Sequence, residues 1–366
     1  MDIQAPSGRM AGNRDSVNLL KKWLKEAKRG SVGHVAIAVA MEPGAQIYTE
    51  SVGSVVYQED MCRALDDLRG RIHEQVSRRF APVNKRSAAN CVTYNVSTSV
   101  VCFDFLPWLI GAEMYRVRHG APAPLKVAFY HVEQENVGVP QIQIQMLQRV
   151  AGPLVSAIGG IISPFVGGRG DFSIGYNQIV AAHKHGESVP KLRPSNMAVG
   201  AVDALLDGLP QPVTITLREA DHYDNRNSNV QAWIKFAGDL RDKGEYVVFL
   251  RDTAKAEQEI DGFATVPIAS EDLHFRLALY DRAKTNLFVS NGPATLNYHL
   301  DAPFLMFTEI DFAHKGDYEC AFPEWWPRAM GIEVGEQFPW FNARQRIVWK
   351  TDSYENLSAA WEEFNG

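Results

Sequence analysis

The feature that most constrains this chain is a series of short apolar runs between residues 212 and 307, each followed by a stretch with helical periodicity. The runs are 212–217 (PVTITL), 246–250 (YVVFL), 285–289 (TNLFV) and 303–307 (PFLMF). Unbroken apolar runs of this length, rich in β-branched and aromatic residues, mark strands buried on both faces, as in parallel sheets covered by helices. Between the runs, residues 229–243 place Val230, Trp233, Ile234, Ala237 and Leu240 on one helical face, and Gly244 is suited to close that helix. Residues 271–283 and 294–300 read as two further helices. The spacing predicts β-α-β-α-β-α-β, one doubly wound α/β half.

The same alternation is present earlier, less sharply. Helices are expected at 16–29, 59–80 and 108–119, and strands at 34–41, 91–96, 100–105 and 126–132. Residues 136–200 lack a clear period, and GLPQP, with two prolines and a glycine, is the clearest linker. The expected architecture is therefore α/β, with two Rossmann-like domains facing across a cleft. Residues 1–206 form the first, on the acceptor side, and 207–350 the second. A terminal helix within 351–366 is expected to pack back on the first domain.

Composition removes several function classes. The chain has 37 basic and 43 acidic residues, a net charge of -6, which argues against phosphate-coating nucleic-acid binding. With 366 residues, 46% hydrophobic, it can bury a core without disulfides or structural metal. Its four cysteines, Cys62, Cys91, Cys102 and Cys320, show no C-x-x-C spacing and read as reduced thiols of a cytoplasmic protein. The N-terminal residues lack a signal-peptide apolar region. The longest apolar stretch, 154–168, is about fifteen residues and broken by glycines and Pro164, too short to span a bilayer. Membrane contact is expected to be peripheral at most.

In open α/β sheets ligands bind beyond the carboxyl ends of the strands. Those ends carry Arg218-Glu219, Arg251-Asp252, Ser290-Asn291-Gly292-Pro293 and Thr308-Glu309. Arg218 offers a planar fork for a diphosphate. The SNGP turn offers backbone N–H groups at a helix start. Glu309 is placed to accept from ribose hydroxyls. Arg226, in the polar run 225–229, is balanced between ligand binding and a simple helix cap by Ser228 or Asn229.

These residues resemble the C-terminal donor domain of GT-B glycosyltransferases. The SNGP turn is similar to the SGP-type turn of heptosyltransferases, where the phosphates of the sugar nucleotide sit. Thr216-Leu217-Arg218 resembles the H-x-R motif of α1,6- and O-fucosyltransferases, with Thr216 replacing the histidine and Glu219 standing where some members have a second arginine. The first half, through VVCFDFLPWLIGAEMYRVRHG, is similar to uncharacterised bacterial glycosyltransferases. The resemblance implies a glycosyltransferase using a nucleotide-diphosphate sugar, with Arg218, Arg226, Asp252, Ser290, Asn291, Gly292 and Glu309 around the donor. It also implies a glycan or lipid-linked acceptor in cell-surface polysaccharide assembly. A sugar-nucleotide epimerase or hydrolase of the same shape, or a non-catalytic nucleotide-sugar binder, are the alternatives.

An inverting transfer needs a base for the acceptor hydroxyl. His131, Glu133 and Asp104 are the candidates, each at an expected strand end. The chain has no D-x-D triplet to hold a cation against the diphosphate. Neutralisation then falls to arginine and backbone dipoles, with no metal and no other cofactor. His183 and His185 lack an obvious third ligand and read as a solvated loop. Trp325, Trp326, Trp340 and Phe341 are read as core more readily than as a sugar platform.

Overall fold

The computed structural model describes residues 89–96, 101–130, 141–163, 175–221, 226–316 and 319–366. The elements expected before residue 89 lie outside them. Residues 86–366 form one compact unit. It holds two sheets.

The first is a three-stranded parallel sheet in the order β1-β2-β3, from β1 (Cys91–Asn95), β2 (Lys126–Tyr130) and β3 (Ile161–Ile162). Between β1 and β2 runs α1 (Phe105–Arg118). The run expected as a strand at 100–105 is not one: Phe105 already opens this helix, and residues 101–104 are its irregular approach. The apolar residues there are buried because Phe105, Leu106, Leu109 and Ile110 line the inner face of α1. A short apolar run does not by itself distinguish a strand from a buried helix start. Between β2 and β3, α2 (Gln141–Met146) passes through a π turn (Leu147–Ala151) into α3 (Gly152–Ala157). Pro153 lacks the N–H that an α-helix would use there, so the register slips. Two helices, α4 (Tyr176–Lys184) and α5 (Asn196–Leu205), lead to the second sheet.

That sheet has six parallel strands: β4 (Val213–Thr216), β5 (Val247–Leu250), β6 (Ala264–Thr265), β7 (Thr285–Val289), β8 (Phe304–Phe307) and β9 (Gln345–Val348). Their spatial order is β6-β5-β4-β7-β8-β9. Numbered from its own first strand, this is the 3-2-1-4-5-6 order of a dinucleotide-binding Rossmann sheet. The chain builds from the centre to one edge, returns, and builds to the other, so β4 and β7 flank the point where the winding reverses.

The four central strands are buried along their whole length, with Thr214, Thr216, Thr285 and Asn286 among their apolar residues, and the two edges are more exposed. On one face lie α6 (Val230–Asp242) and α9 (Tyr354–Asn365), over Val213, Ile215, Leu217, Phe249 and Leu287. Gly244, at φ 85°, ends α6 as expected: its N–H bonds Arg241 O at 2.9 Å and that of Glu245 bonds Leu240 O at 3.0 Å. On the other face lie α7 (Ile268–Glu271) and α8 (Leu273–Arg282). Here the core is continuous with the residues of the three-stranded sheet.

The terminal helix packs on α6 through Leu357 and Trp361. Asp352 pins its entry, accepting from the Asn229 amide at 2.8 Å and the Trp233 indole at 2.7 Å. No helix of the described residues is long and apolar enough to cross a membrane.

Candidate functional site

The winding reverses between β4 and β7, and Arg218 and the SNGP turn follow these two adjacent strand ends. The ladder carries past β4, with the Leu217 amide bonded to Leu250 O at 2.9 Å. Arg218, only 6% exposed, follows. Its backbone is clasped by Ser228: the Arg218 amide donates to Ser228 Oγ at 2.9 Å and the Ser228 amide to Arg218 O at 2.9 Å. Asn227 Oδ1 accepts from the Arg218 guanidinium and from the Ala220 amide, and its Nδ2 donates to Ala220 O. The segments on either side of 222–225 are thus stitched together, and the guanidinium is aimed by them.

Arg226 crosses the reversal point. Its guanidinium donates to Ser290 O, at the end of β7, at 3.2 Å. This joins the ends of β4 and β7, while Asn229 caps α6 through the Ala232 amide.

Beside Arg218, Glu219 anchors a charge network. Its side chain is 4% exposed and takes a bidentate pair from Arg251, at 2.6 and 2.9 Å, plus Lys255 at 3.3 Å. Burial alone would raise the carboxyl pKa, but the bonds and charges of Arg251 and Lys255 outweigh it and hold Glu219 below its ordinary value. The Glu219 amide donates to Asp252 Oδ2 at 2.6 Å. Asp252 therefore links the ends of β4 and β5. Arg218, Glu219, Asp221, Asn227, Ser228 and Lys255 line a cavity of about 390 Å³.

The SNGP turn opens a 3₁₀ helix, Pro293–His299, in place of the α-helix expected at 294–300. Asn291 Oδ1 accepts the Ala294 amide at 2.8 Å, so the side chain takes one of the donors that a phosphate would otherwise meet. Gly292 is in ordinary right-handed backbone, and its need for glycine is steric. A Cβ there would lie 2.7 Å from Phe103 Cδ2. Phe103 belongs to the 101–104 approach to α1, so the turn and that loop touch.

This contact sets Asp104 next in sequence to a residue packed on the SNGP turn. Asp104 is exposed and accepts from the Cys102 thiol at 3.4 Å. Burial, reinforced by the Asp104 charge, pushes the thiol up to about 11. His131 and Glu133 lie outside the described residues. Glu309 is exposed, two residues past β8.

Behind the site, His299 is fully buried. Its Nδ1 faces Pro190 O at 3.2 Å and its Nε2 faces the Tyr176 hydroxyl at 3.2 Å, which fits a neutral ring that donates from Nδ1. Burial pushes its pKa down to about 3.

Of the aromatic tail, Trp326 is buried, Trp325, Trp340 and Phe341 are half-buried against the core, and the Trp340 indole donates to Tyr298 O at 3.0 Å. His183 and His185 end α4, with His183 Nδ1 bonded to Glu187 O at 2.9 Å. Among the described residues no group of three metal-ligating side chains converges.

Sequence reasoning placed Arg218 and the SNGP turn at strand ends, as the structure has them. It missed the pairing of Glu219 with Arg251 and the contact of Phe103 with Gly292. The local signal for the first, acidic and basic residues at neighbouring strand ends, was present; for the second there was none.

The chain matches no family model and no curated protein. Among solved structures it is similar to the ADP-heptose lps heptosyltransferase II of E. coli, at 12% identity over 48% of this chain and 55% of that one, with a TM-score of 0.33. The chain thus spans about half the length of that protein. A glycosyl transferase family 9 protein from Veillonella parvula shares 11% identity over 75% of this chain and 90% of its own, with a TM-score of 0.41. E. coli heptosyltransferase WaaC, solved with ADP, shares 14% identity over 75% and 98%, with a TM-score of 0.39.

Proposed function

We propose that this chain is a glycosyltransferase whose nucleotide-diphosphate sugar binds at the crevice between the ends of β4 and β7. One observation carries the reading: Arg218 and the SNGP turn, the residues of the sequence resemblance, flank the reversal point of a 3-2-1-4-5-6 sheet, with Arg226 bonded across it to Ser290 O. A guanidinium held by its neighbours can meet two diphosphate oxygens at once and costs little reorganisation as the leaving group gains charge. Arg218 and Arg226 take that role in place of a metal. Asp252 supports the site by joining β4 to β5, and Glu309 is assigned to the ribose.

Asp104 is the base for the acceptor hydroxyl. Its solvent access lets it receive a proton, and the Phe103 contact sets its loop beside the donor turn. The acceptor, a glycan or lipid-linked hydroxyl of cell-surface polysaccharide assembly, is met from the side of the three-stranded sheet.

The test is a thermal-shift screen with ADP, GDP, UDP, CMP and dTDP and their sugars. A ligand at a hundred times its Kd adds about 2.7 kcal/mol of stability. At least one nucleoside diphosphate is expected to shift the melt, and its sugar to be transferred to an added glycan. No shift with any of them overturns the reading; donor conversion without acceptor makes the enzyme an epimerase or hydrolase.

A further inference from the structure

Arg276 lies in the first turn of α8 and is 6% exposed, yet no carboxylate of the described residues pairs with it. Its Nε donates to Ala269 O, in α7. The carboxylate one turn earlier, Asp272, is used as the cap of α8, accepting the Phe275 amide at 2.9 Å. The terminal nitrogens of Arg276 are not among the buried polar atoms sealed without a partner, so they open on accessible surface. A buried guanidinium with no counter-charge is strongly unfavourable, and a folded chain retains one where an anion arrives from outside or where it fixes a specific contact.

Its position follows from one hydrogen bond. Thr216 Oγ and the Tyr280 hydroxyl meet at 2.8 Å, tying the end of β4 to α8. From Thr216 the chain climbs about 6.6 Å to Arg218, leaving on the same side of the sheet. The helix α8 runs back against the strands, so Arg276, on the Tyr280 face, lies about 6 Å higher than Tyr280. The two arginines are therefore level, one rung above the Thr216–Tyr280 bond. The bond to Ala269 O keeps Arg276 at that height, because α7 sits over the end of β5, where Ser270 Oγ donates to Arg251 O.

We infer that Arg276 is a further guanidinium contact for the anion held at the ends of β4 and β7, beside Arg218 and Arg226. This rests on the diphosphate reading above and adds to it a residue of α8. A cluster of arginines recognises the diphosphate whatever the base, so Arg276 serves affinity for phosphate oxygens and not nucleobase choice.

The test compares Arg276→Met with the unaltered chain, by calorimetric titration with inorganic pyrophosphate and with ADP, GDP and UDP, beside a melt without ligand. The thioether fills the volume and removes the unpaired charge. The melting temperature is expected to hold or rise, while affinity for pyrophosphate and for the best nucleoside diphosphate falls at least tenfold. A lower melting temperature with unchanged affinity overturns the inference and makes Arg276 a tie between α7 and α8. If the Met variant does not fold, Arg276→Lys decides: unchanged affinity overturns the inference, and a severalfold loss supports it. If Arg218→Ala loses binding and the Arg276 variants do not, this inference alone falls. If the unaltered chain binds none of the four probes, the diphosphate reading falls and takes the inference with it.

Discussion

Arg218 and Glu219 are neighbours with opposite dependence on their surroundings, and two predictions separate them. Arg218 is held by Asn227 and Ser228, so its loss should leave the fold and remove the ligand. Arg218→Ala is expected to melt cooperatively and to lose the nucleoside-diphosphate shift. Arg218→Lys should restore it only in part, since an ammonium cannot form the paired bonds of a guanidinium. Glu219 is the reverse case. Replacing it with glutamine leaves Arg251, whose side chain is 10% exposed, without its carboxylate. Breaking a buried pair in this way costs about 3 kcal/mol, so Glu219→Gln should be markedly less stable in urea even where ligand contacts survive. The identity of Arg218 was legible because strand ends can be read from an apolar run. Its aim was not, because Asn227 and Ser228 reach it only once the chain after β4 has folded back. Arg276 was illegible for a similar reason: in sequence it is one polar residue in a helix, and its isolation from carboxylates exists only in three dimensions.

Among the elements, the central strands were legible and the edges were not. The strands β4, β5, β7 and β8 are buried on both faces and are dominated by apolar and β-branched residues. The edge strand β9 (QRIV) carries Gln345 and Arg346, and β6 is only two residues long, so neither leaves a run to read. The helix after SNGP was misread in type because its pattern begins like any helix start, whereas the chain winds it as 3₁₀. That turn yields a third prediction. Gly292→Val is expected to lower the melting temperature of the ligand-free protein, because the added side chain meets the Phe103 ring before it meets any ligand. An unchanged melt would show that the 101–104 loop yields freely, and that the turn is not braced by it.

For the molecule as a whole, His299 sets an acid limit. The unfolded ring takes up a proton near pH 6.5, and the folded one, with its pKa near 3, does not. The unfolded state then binds more protons between these values, so stability is full above about pH 6.5 and falls as the pH drops towards 3. The slope from this one group approaches about 1.4 kcal/mol per pH unit. Urea melts from pH 7 to 4 check it, and His299→Gln should flatten that part of the curve. Catalysis, once donor and acceptor are found, should survive EDTA, since arginines are assigned to the leaving group; a strict need for Mg²⁺ or Mn²⁺ would reassign that role. The strand order also has a consequence in time. Because the sheet grows from β4 to one edge before β7 returns to its other side, a nascent chain emerging from the ribosome completes β6 while β4 still has a bare flank. That flank is apolar and unpaired until residues 285–289 arrive. The interval between those two events is when the chain is most open to aggregation, and the strand that ends it also carries the SNGP turn to its place beside the end of β4.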